Sequence, residues 1–65
     1  MMIYDVEFIR RMPGRDEPAV IDIHNVLATG LNEAIRRAWL SLLTINFRVR
    51  PGAFRIRENG DEVVF

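Results

Sequence analysis

Residues 29–45, TGLNEAIRRAWLSLLTI, predict an amphipathic helix on which the rest of the chain packs. At about 100° per residue, apolar side chains spaced three and four residues apart form one stripe. The stripe consists of Leu31, Ala34, Ile35, Ala38, Leu42 and Ile45. Charged side chains such as Glu33 and Arg37 lie on the opposite side. We expect Thr29 or Gly30 to cap the N-terminus, because short side chains favour that position.

Three large apolar residues of the predicted helix fall outside this stripe. Trp39 and Leu43 lie at its border, and Leu40 points almost away from it. Two interpretations are open. Trp39 is a core residue at the edge of a sheet, or the three side chains form a patch that binds a partner or a second copy, since contiguous exposed apolar surface usually marks an interface. Trp39, Leu40 and Leu43 are therefore the candidate interface residues.

Residues 3–9 alternate as in a half-buried strand. Tyr4, Val6 and Phe8 point to one face, which we expect to be the core, and Asp5 and Glu7 point to the other. The polar loop that follows contains Pro13-Gly14. This pair suits a type II turn, because proline presets the first central angle and glycine accepts the positive φ of the second.

Residues 19–25 form the second predicted strand. We expect Ile21 and Ile23 on its core face. The other face then carries Val20, Asp22 and His24. Val26 and Leu27 are expected to form a short connection to the helix.

After the helix, Asn59-Gly60 predicts a two-residue β-hairpin, because both residues accept the positive φ of a type I′ turn. A two-residue turn sets the register of the two strands. The facing pairs expected are Phe54–Phe65, Arg55–Val64, Ile56–Val63, Arg57–Glu62 and Glu58–Asp61. Residues 47–50 also alternate, but Pro51-Gly52 interrupts them, so we interpret them as a connector or a brief edge segment.

The element order is strand, strand, helix, strand, strand. We expect a two-layer α+β fold, ββαββ, with one helix on a small antiparallel sheet of spatial order 2-1-3-4. Residues 1–65 are expected to form a single small domain, because the length leaves no room for a second.

The composition limits the classes of protein that are possible. A domain of 65 residues buries little surface, and small domains gain stability from disulfides, metals or oligomerisation. The chain has no cysteine, so oligomerisation is the route left open, and the absence of cysteine fits a reducing compartment. We find neither a membrane span nor a signal peptide, and we expect a cytoplasmic protein without a membrane partner.

The sequence contains no recognisable catalytic or cofactor-binding motif. Ser41 is the sole serine and lies within the predicted helix, and the four glycines are scattered rather than grouped into a phosphate loop. Asp22 and His24, with Asp5 and Glu7 on the neighbouring strand, form a conceivable metal site, although a solvated charged face is the commoner explanation. We therefore expect no enzyme, no cofactor and no metal.

The basic residues are unevenly distributed. All nine are arginine, and the net charge is zero. Arg48, Arg50, Arg55 and Arg57, with Phe47 and Phe54 between them, have the composition of a nucleic-acid surface. Strand alternation gives another interpretation, in which the phenylalanines belong to the core and the arginines form an ordinary charged face.

Two functions remain as hypotheses. The first is a small non-catalytic protein-interaction module that forms a homodimer through the patch on the helix. The second is binding of nucleic acid or an acidic partner through the arginine-rich segment 48–57. The sequence names neither the partner nor the biological role.

Overall fold

The predicted helix is present as α1, Leu31–Thr44. The structure is a computed structural model that describes residues 1–64. Gly30 is the N-cap and has an extended backbone, and the hydroxyl of Thr29 donates a hydrogen bond of 2.7 Å to the carboxylate of Glu33. This carboxylate lies in the first turn, where its negative charge suits the helix dipole.

The apolar stripe of α1 faces the sheet, as predicted. Ala34 and Ala38 are buried, and Leu31, Ile35 and Leu42 pack partly buried against the core. Ile45 lies just beyond the end of the helix and is partly exposed. Among the described residues, no helix has the length and apolar character needed to cross a membrane.

Within residues 1–64, four strands form one antiparallel sheet beside the helix. They are β1 (Met2–Arg10), β2 (Ala19–Ala28), β3 (Ala53–Glu58) and β4 (Asp61–Val64). Their order across the sheet is β2-β1-β3-β4, which confirms the predicted two-layer ββαββ fold and its 2-1-3-4 order. Pro13-Gly14 forms the expected turn between β1 and β2, where Gly14 has a φ of 76°.

The core lies between α1 and one face of the sheet. Val6 on β1 lies opposite Ile56 on β3, and Phe8 lies opposite Phe54. These four side chains are buried, as is Tyr4. Burial of an apolar side chain of this size contributes about 1.5–3 kcal/mol, so the two central strands provide most of the hydrophobic stabilisation. The face predicted for β1 is therefore confirmed.

From Asp22 onward, strand β2 presents the opposite faces from those predicted, whereas Val20 lies opposite Ile9 on the outer face, as predicted. Its pairing with β1 places His24 opposite Val6 and Asp22 opposite Phe8, so both polar side chains lie on the helix side of the sheet. Ile23 lies on the outer face, the face away from α1, and is 52% exposed. The prediction that Ile23 faces the core while Asp22 and His24 face away is wrong.

The reason lies in the length of β2 and in a bulge. The strand continues through Val26 and Leu27 to Ala28, where the sequence predicts a connection. Val26 and Ala28 fill the helix side, and their alternation determines the faces of the residues before them. A bulge at Ile21 then interrupts the alternation towards the start of the strand. Both faces carry apolar residues, so periodicity alone does not identify the buried one.

The C-terminal hairpin turns where the sequence predicts it. Asn59 and Gly60 have φ values of 52° and 84°, and the pairs Arg57–Glu62 and Glu58–Asp61 are formed. Beyond them, a register shift leaves Val63 out of the pairing, and Ile56 pairs with Val64.

The predicted pairs Ile56–Val63 and Arg55–Val64 are therefore wrong. The turn sets the register of the nearest pairs, but a β-bulge inserts an extra residue further along the strand, as is common at sheet edges. The predicted pair Phe54–Phe65 lies outside the described residues.

Residues 45–52 connect α1 to β3, and residues 47–50 are neither helix nor strand. The ring of Phe47 packs against Phe8 with centroids 4.9 Å apart, as expected of a core residue. Pro51 is buried, and the amide of Gly52 donates a hydrogen bond of 2.9 Å to the carbonyl of Ile9. These contacts hold the connector against the end of β1.

Candidate interaction surfaces

Helix α1 carries three large, mostly exposed apolar side chains in addition to the apolar stripe that packs on the sheet. Within Leu31–Thr44 the buried residues are Ala34 and Ala38. By contrast, Trp39, Leu40 and Leu43 are 53%, 62% and 70% exposed. We call these three residues the helix patch. Residues three and four apart are neighbours on a helix, so Leu43 lies beside both Leu40 and Trp39 and the patch is continuous.

Trp39 combines the two roles considered for it. Its ring stands edge-on to that of Phe54 on β3, with centroids 5.2 Å apart and planes at 89°. Edge-to-face pairs of this kind are favourable. The same indole keeps about half of its surface in contact with solvent. Trp39 therefore covers part of the core and also contributes to the helix patch.

Charged side chains border the helix patch on the side away from Trp39. Leu40 and Leu43 share an apolar recess with the stems of Arg36 and Arg37. The guanidinium of Arg37 lies 3.1 Å from the carboxylate of Glu33, one turn earlier. The hydrogen bond from Thr29 and these nearby arginines lower the pKa of Glu33. An apolar centre with a charged rim is typical of protein interfaces.

The outer face of the sheet carries a second exposed apolar surface. Leu27 on β2 lies opposite Ile3 on β1, and Ile23 lies on the same face of β2 four residues earlier, with Asn25 between them. Leu27 and Ile23 are each 52% exposed, and Ile3 is 60% exposed. We call these three residues the sheet stripe. The sequence did not predict the sheet stripe, because Ile23 was expected in the core and Leu27 in a connection.

The two apolar surfaces border the same strand. Leu40 of the helix patch lines a shallow groove with Val26 and Leu27 of β2. Leu27 also belongs to the sheet stripe. Strand β2 is at the edge of the sheet. Exposed apolar side chains therefore lie above and below this edge.

The charged half of the outer face is neutralised internally. Glu7 on β1 accepts hydrogen bonds from the Nε atoms of Arg55 and Arg57 on β3, the second at 3.3 Å. The side chains of Glu7 and Arg55 are only 13% and 17% exposed. Burial acts to raise the pKa of Glu7, but the hydrogen bonds and charges of the two arginines outweigh it and lower the pKa. Arg57 also lies 4.0 Å from Glu62, the cross-strand pair predicted from the hairpin.

The four arginines predicted to contact nucleic acid fall into two pairs, one with ion-pair partners among the described residues and one without. Arg55 and Arg57 already bind Glu7. Arg48 and Arg50 lie in the connector, are exposed, and form no ion pair within residues 1–64. The residue between them, Val49, shares a groove with residues at the end of β1 and in the following loop, which include Arg10, Arg11 and Met12. We call Arg10, Arg11, Arg48 and Arg50 the basic end of the sheet.

Asp22 and His24 contact each other but are separated from the other acids. The ring Nε2 of His24 lies 2.9 Å from a carboxylate oxygen of Asp22, and this hydrogen bond lowers the pKa of Asp22. Asp5 and Glu7 are on the outer face, so the four residues do not converge as the conceivable metal site requires. Within residues 1–64 no group of three or more potential ligands is close enough to hold a metal ion. His24 instead packs against the ring of Phe8, 5.0 Å away.

Comparisons with known proteins add no assignment. Searches with protein-family models, curated proteins and solved structures find nothing that matches this chain.

Proposed function

We propose that this chain is a small, non-catalytic protein-interaction module that acts as a homodimer through the helix patch. The observation that carries the proposal is the orientation of α1, which exposes Trp39, Leu40 and Leu43 while burying alanines. A helix that served only a monomer would carry polar residues at these three outward positions.

The small core supports the same proposal. The helix contributes two alanines to the buried set, and alanine removes little apolar surface from water. A domain of this size has about 3–5 kcal/mol of net stability available from its own core. Covering the helix patch with a second copy adds apolar burial on both subunits, because a two-fold interface uses each residue twice.

Sedimentation equilibrium on the purified chain tests the proposal. We expect a dimer at micromolar to hundreds of micromolar concentrations. Leu43→Glu should weaken the dimer at least about tenfold, or about 1.4 kcal/mol, because it places a charge in the apolar contact. Val49→Glu is the matched control, since Val49 is also exposed but lies in the connector. A wild-type chain that stays monomeric at hundreds of micromolar rules out the dimer.

A second candidate function is the binding of nucleic acid or another acidic partner at the basic end of the sheet. Its support is the position of Arg48 and Arg50 beside the groove that Arg10 and Arg11 line. Exposed guanidinium groups bind phosphate readily. Arg55 and Arg57 contribute less to this second candidate, because Glu7 and Glu62 already balance their two positive charges.

Fluorescence anisotropy with labelled single-stranded and double-stranded RNA and DNA tests this candidate. Binding should weaken as salt increases, and the double variant R48Q/R50Q should reduce the salt slope by about 2 if each arginine contacts one phosphate. Arg36→Gln, an exposed arginine on α1, is the control. The absence of binding at low salt to all four probes excludes nucleic acid.

We also propose a cytoplasmic location. The support is compositional, since the chain has no cysteine and so needs no oxidising compartment. Cell fractionation with an antibody to the chain tests it, and recovery in an extracytoplasmic fraction would contradict it.

A further inference from the structure

We propose that the second copy of the chain docks on edge strand β2 by pairing it with its own β2, antiparallel, in a register centred on Asn25. The two four-stranded sheets then join into one continuous sheet. This inference rests on the proposed homodimer and specifies the edge, the strand direction and the register of a contact that includes Leu40 of the helix patch, whereas Trp39 packs over β3, away from this edge.

No strand of the described residues occupies the outer edge of β2, where the amide of Ile23 donates a hydrogen bond of 2.9 Å to the carboxylate of Asp22, and a carbonyl of the partner strand must replace that bond. The strand has 10 residues and pairs with β1 on one side, and no strand within residues 1–64 pairs with its other side. Natural edge strands are usually shortened or protected by lysine or proline. Between Asp22 and Ala28, β2 contains neither, and the bulge at Ile21 lies outside this segment.

Both flanks of this edge are apolar. Ile23 and Leu27 of the sheet stripe border it on the outer face, and Leu40 of the helix patch borders it on the helix side. A partner that covers only one face of the molecule leaves one of these surfaces exposed. A strand that pairs with this edge extends the sheet. Its side chains then contact the sheet stripe on the outer face and the helix patch on the helix side.

The sequence of β2 is complementary to itself in one register. With Asn25 opposite the partner's Asn25, Ile23 lies opposite the partner's Leu27, and the symmetric pair repeats this contact. The amide of Asn25 has both donors and acceptors, so it is able to bind its own copy across a two-fold axis. On the outer face this register therefore pairs apolar with apolar and amide with amide.

The helix side of β2 is compatible with the same register. His24 lies opposite the partner's Val26, and Asp22 lies opposite the partner's Ala28. No like charges face each other, although such pairs are the usual obstacle to self-pairing of a strand. These features favour a second copy over an unrelated strand, which would match this pattern only by coincidence.

The surface area that a stable dimer buries also bears on where the second copy docks. A stable dimer buries about 800 Å² per subunit, and the chain has a surface of 4824 Å². Roughly a sixth of the surface must therefore be covered. The three residues of the helix patch fall short of such an area even when they are completely covered, so further residues must contribute. The edge of β2, with Ile23 and Leu27, provides contact area next to Leu40.

Cysteine cross-linking measures the register directly, because the natural chain has no cysteine. Residues directly opposite in an antiparallel pair have Cα atoms about 4.5–5.5 Å apart, within the range of a disulfide. We therefore expect Asn25→Cys to give a disulfide-linked dimer under mild oxidation. In the same register, two copies of position 23 are about 13 Å apart. Ile23→Cys is thus the matched control and should cross-link poorly.

A charge-exchange experiment gives an independent test. Ile23→Lys and Leu27→Glu should each weaken the dimer at least tenfold, because each places a charge in the contact. The double variant I23K/L27E should recover at least part of the affinity, since the two new charges face each other across the interface in this register. Val63→Lys, on the other edge strand, is the control that should leave the dimer unchanged.

The outcomes separate this inference from the proposal on which it depends. A dimeric wild type with an efficient cross-link at position 25 and rescue by the double variant supports the β2 interface. A dimeric wild type that shows no cross-link at position 25, or that cross-links equally at position 23, overturns the register while the homodimer stands. A monomeric wild type at hundreds of micromolar removes both.

Discussion

Arg55 donates a hydrogen bond from its Nε atom to a carboxylate oxygen of Glu7, across the β1–β3 pair and on the face of the sheet away from α1. Arg57 donates to the same oxygen. One carboxylate thus holds two guanidinium groups on the middle of the outer face. The contact stabilises the sheet and at the same time reduces the positive charge that these arginines offer to a partner.

Substitution of Glu7 tests the stabilising role of this contact. We expect Glu7→Gln to lower the free energy of unfolding by about 1–3 kcal/mol, because the change leaves the partly buried Arg55 without an anion and leaves Arg57 only its 4.0 Å contact with Glu62. Glu58→Gln is the control, since Glu58 forms no ion pair within residues 1–64. Urea denaturation of both variants measures the difference. Equal stability of the two variants would show that the Glu7 contacts add little.

The pH dependence of stability follows from the same carboxylate. The pKa of Glu7 is lower in the folded chain than in the unfolded chain, where it is about 4.3. Its contribution is therefore fully present above pH 4.3 and is lost as the pH falls through the folded pKa. We expect the wild type to lose more stability than Glu7→Gln between pH 5 and pH 2. Parallel curves for the two proteins would contradict this assignment.

Trp39 and Leu43 differ in what they contribute to the monomer. Trp39→Ala removes the edge-to-face contact with Phe54, and we expect a loss of about 2–3 kcal/mol. Leu43→Ala should cost under about 0.5 kcal/mol, because its side chain is mostly exposed. Both values are measured by urea denaturation at concentrations low enough to keep the chain monomeric. A large loss for Leu43→Ala under those conditions would mean that Leu43 contributes to the core.

Two isoleucines test which face of each strand is buried. Ile56→Ala should cost about 2–5 kcal/mol, because Ile56 is buried on the helix side of β3. The same change at Ile23 should cost under about 0.5 kcal/mol in the monomer, since Ile23 is exposed on the outer face. Thermal or urea unfolding provides the measurement. Similar losses of stability at the two positions would indicate that Ile23 is buried in the core.

A comparison of Gly60, in the hairpin turn, with Gly52, outside it, tests whether the turn requires a positive φ. Gly60→Ala should destabilise the chain by about 1 kcal/mol, because Gly60 has a φ of 84°, which a residue with a Cβ atom rarely adopts. Gly52→Ala should be neutral or slightly stabilising. A Cβ atom at either position meets nothing within 4 Å, so the difference between them is conformational. If both variants had the same stability, the positive φ at position 60 would not be required.

The sequence alone determined the helix, the turns and the order of the elements. These follow from local rules: the apolar stripe from Leu31 to Leu42, the positive φ accepted by Asn59-Gly60, and the short connections that keep neighbouring strands antiparallel. The alternation of Tyr4, Val6 and Phe8 was also sufficient, because only one face of β1 is apolar in that segment.

Only the tertiary structure decided which face of β2 is buried and where Val63 falls relative to β3. Both depend on register, and a bulge of one residue moves every following side chain to the other face. The ion pairs of Glu7 likewise required the β1–β3 pairing, which brings together residues 48 and 50 positions apart in the chain. Local sequence patterns do not predict contacts between residues so far apart in the chain, because the pairing depends on how the whole sheet packs beneath α1.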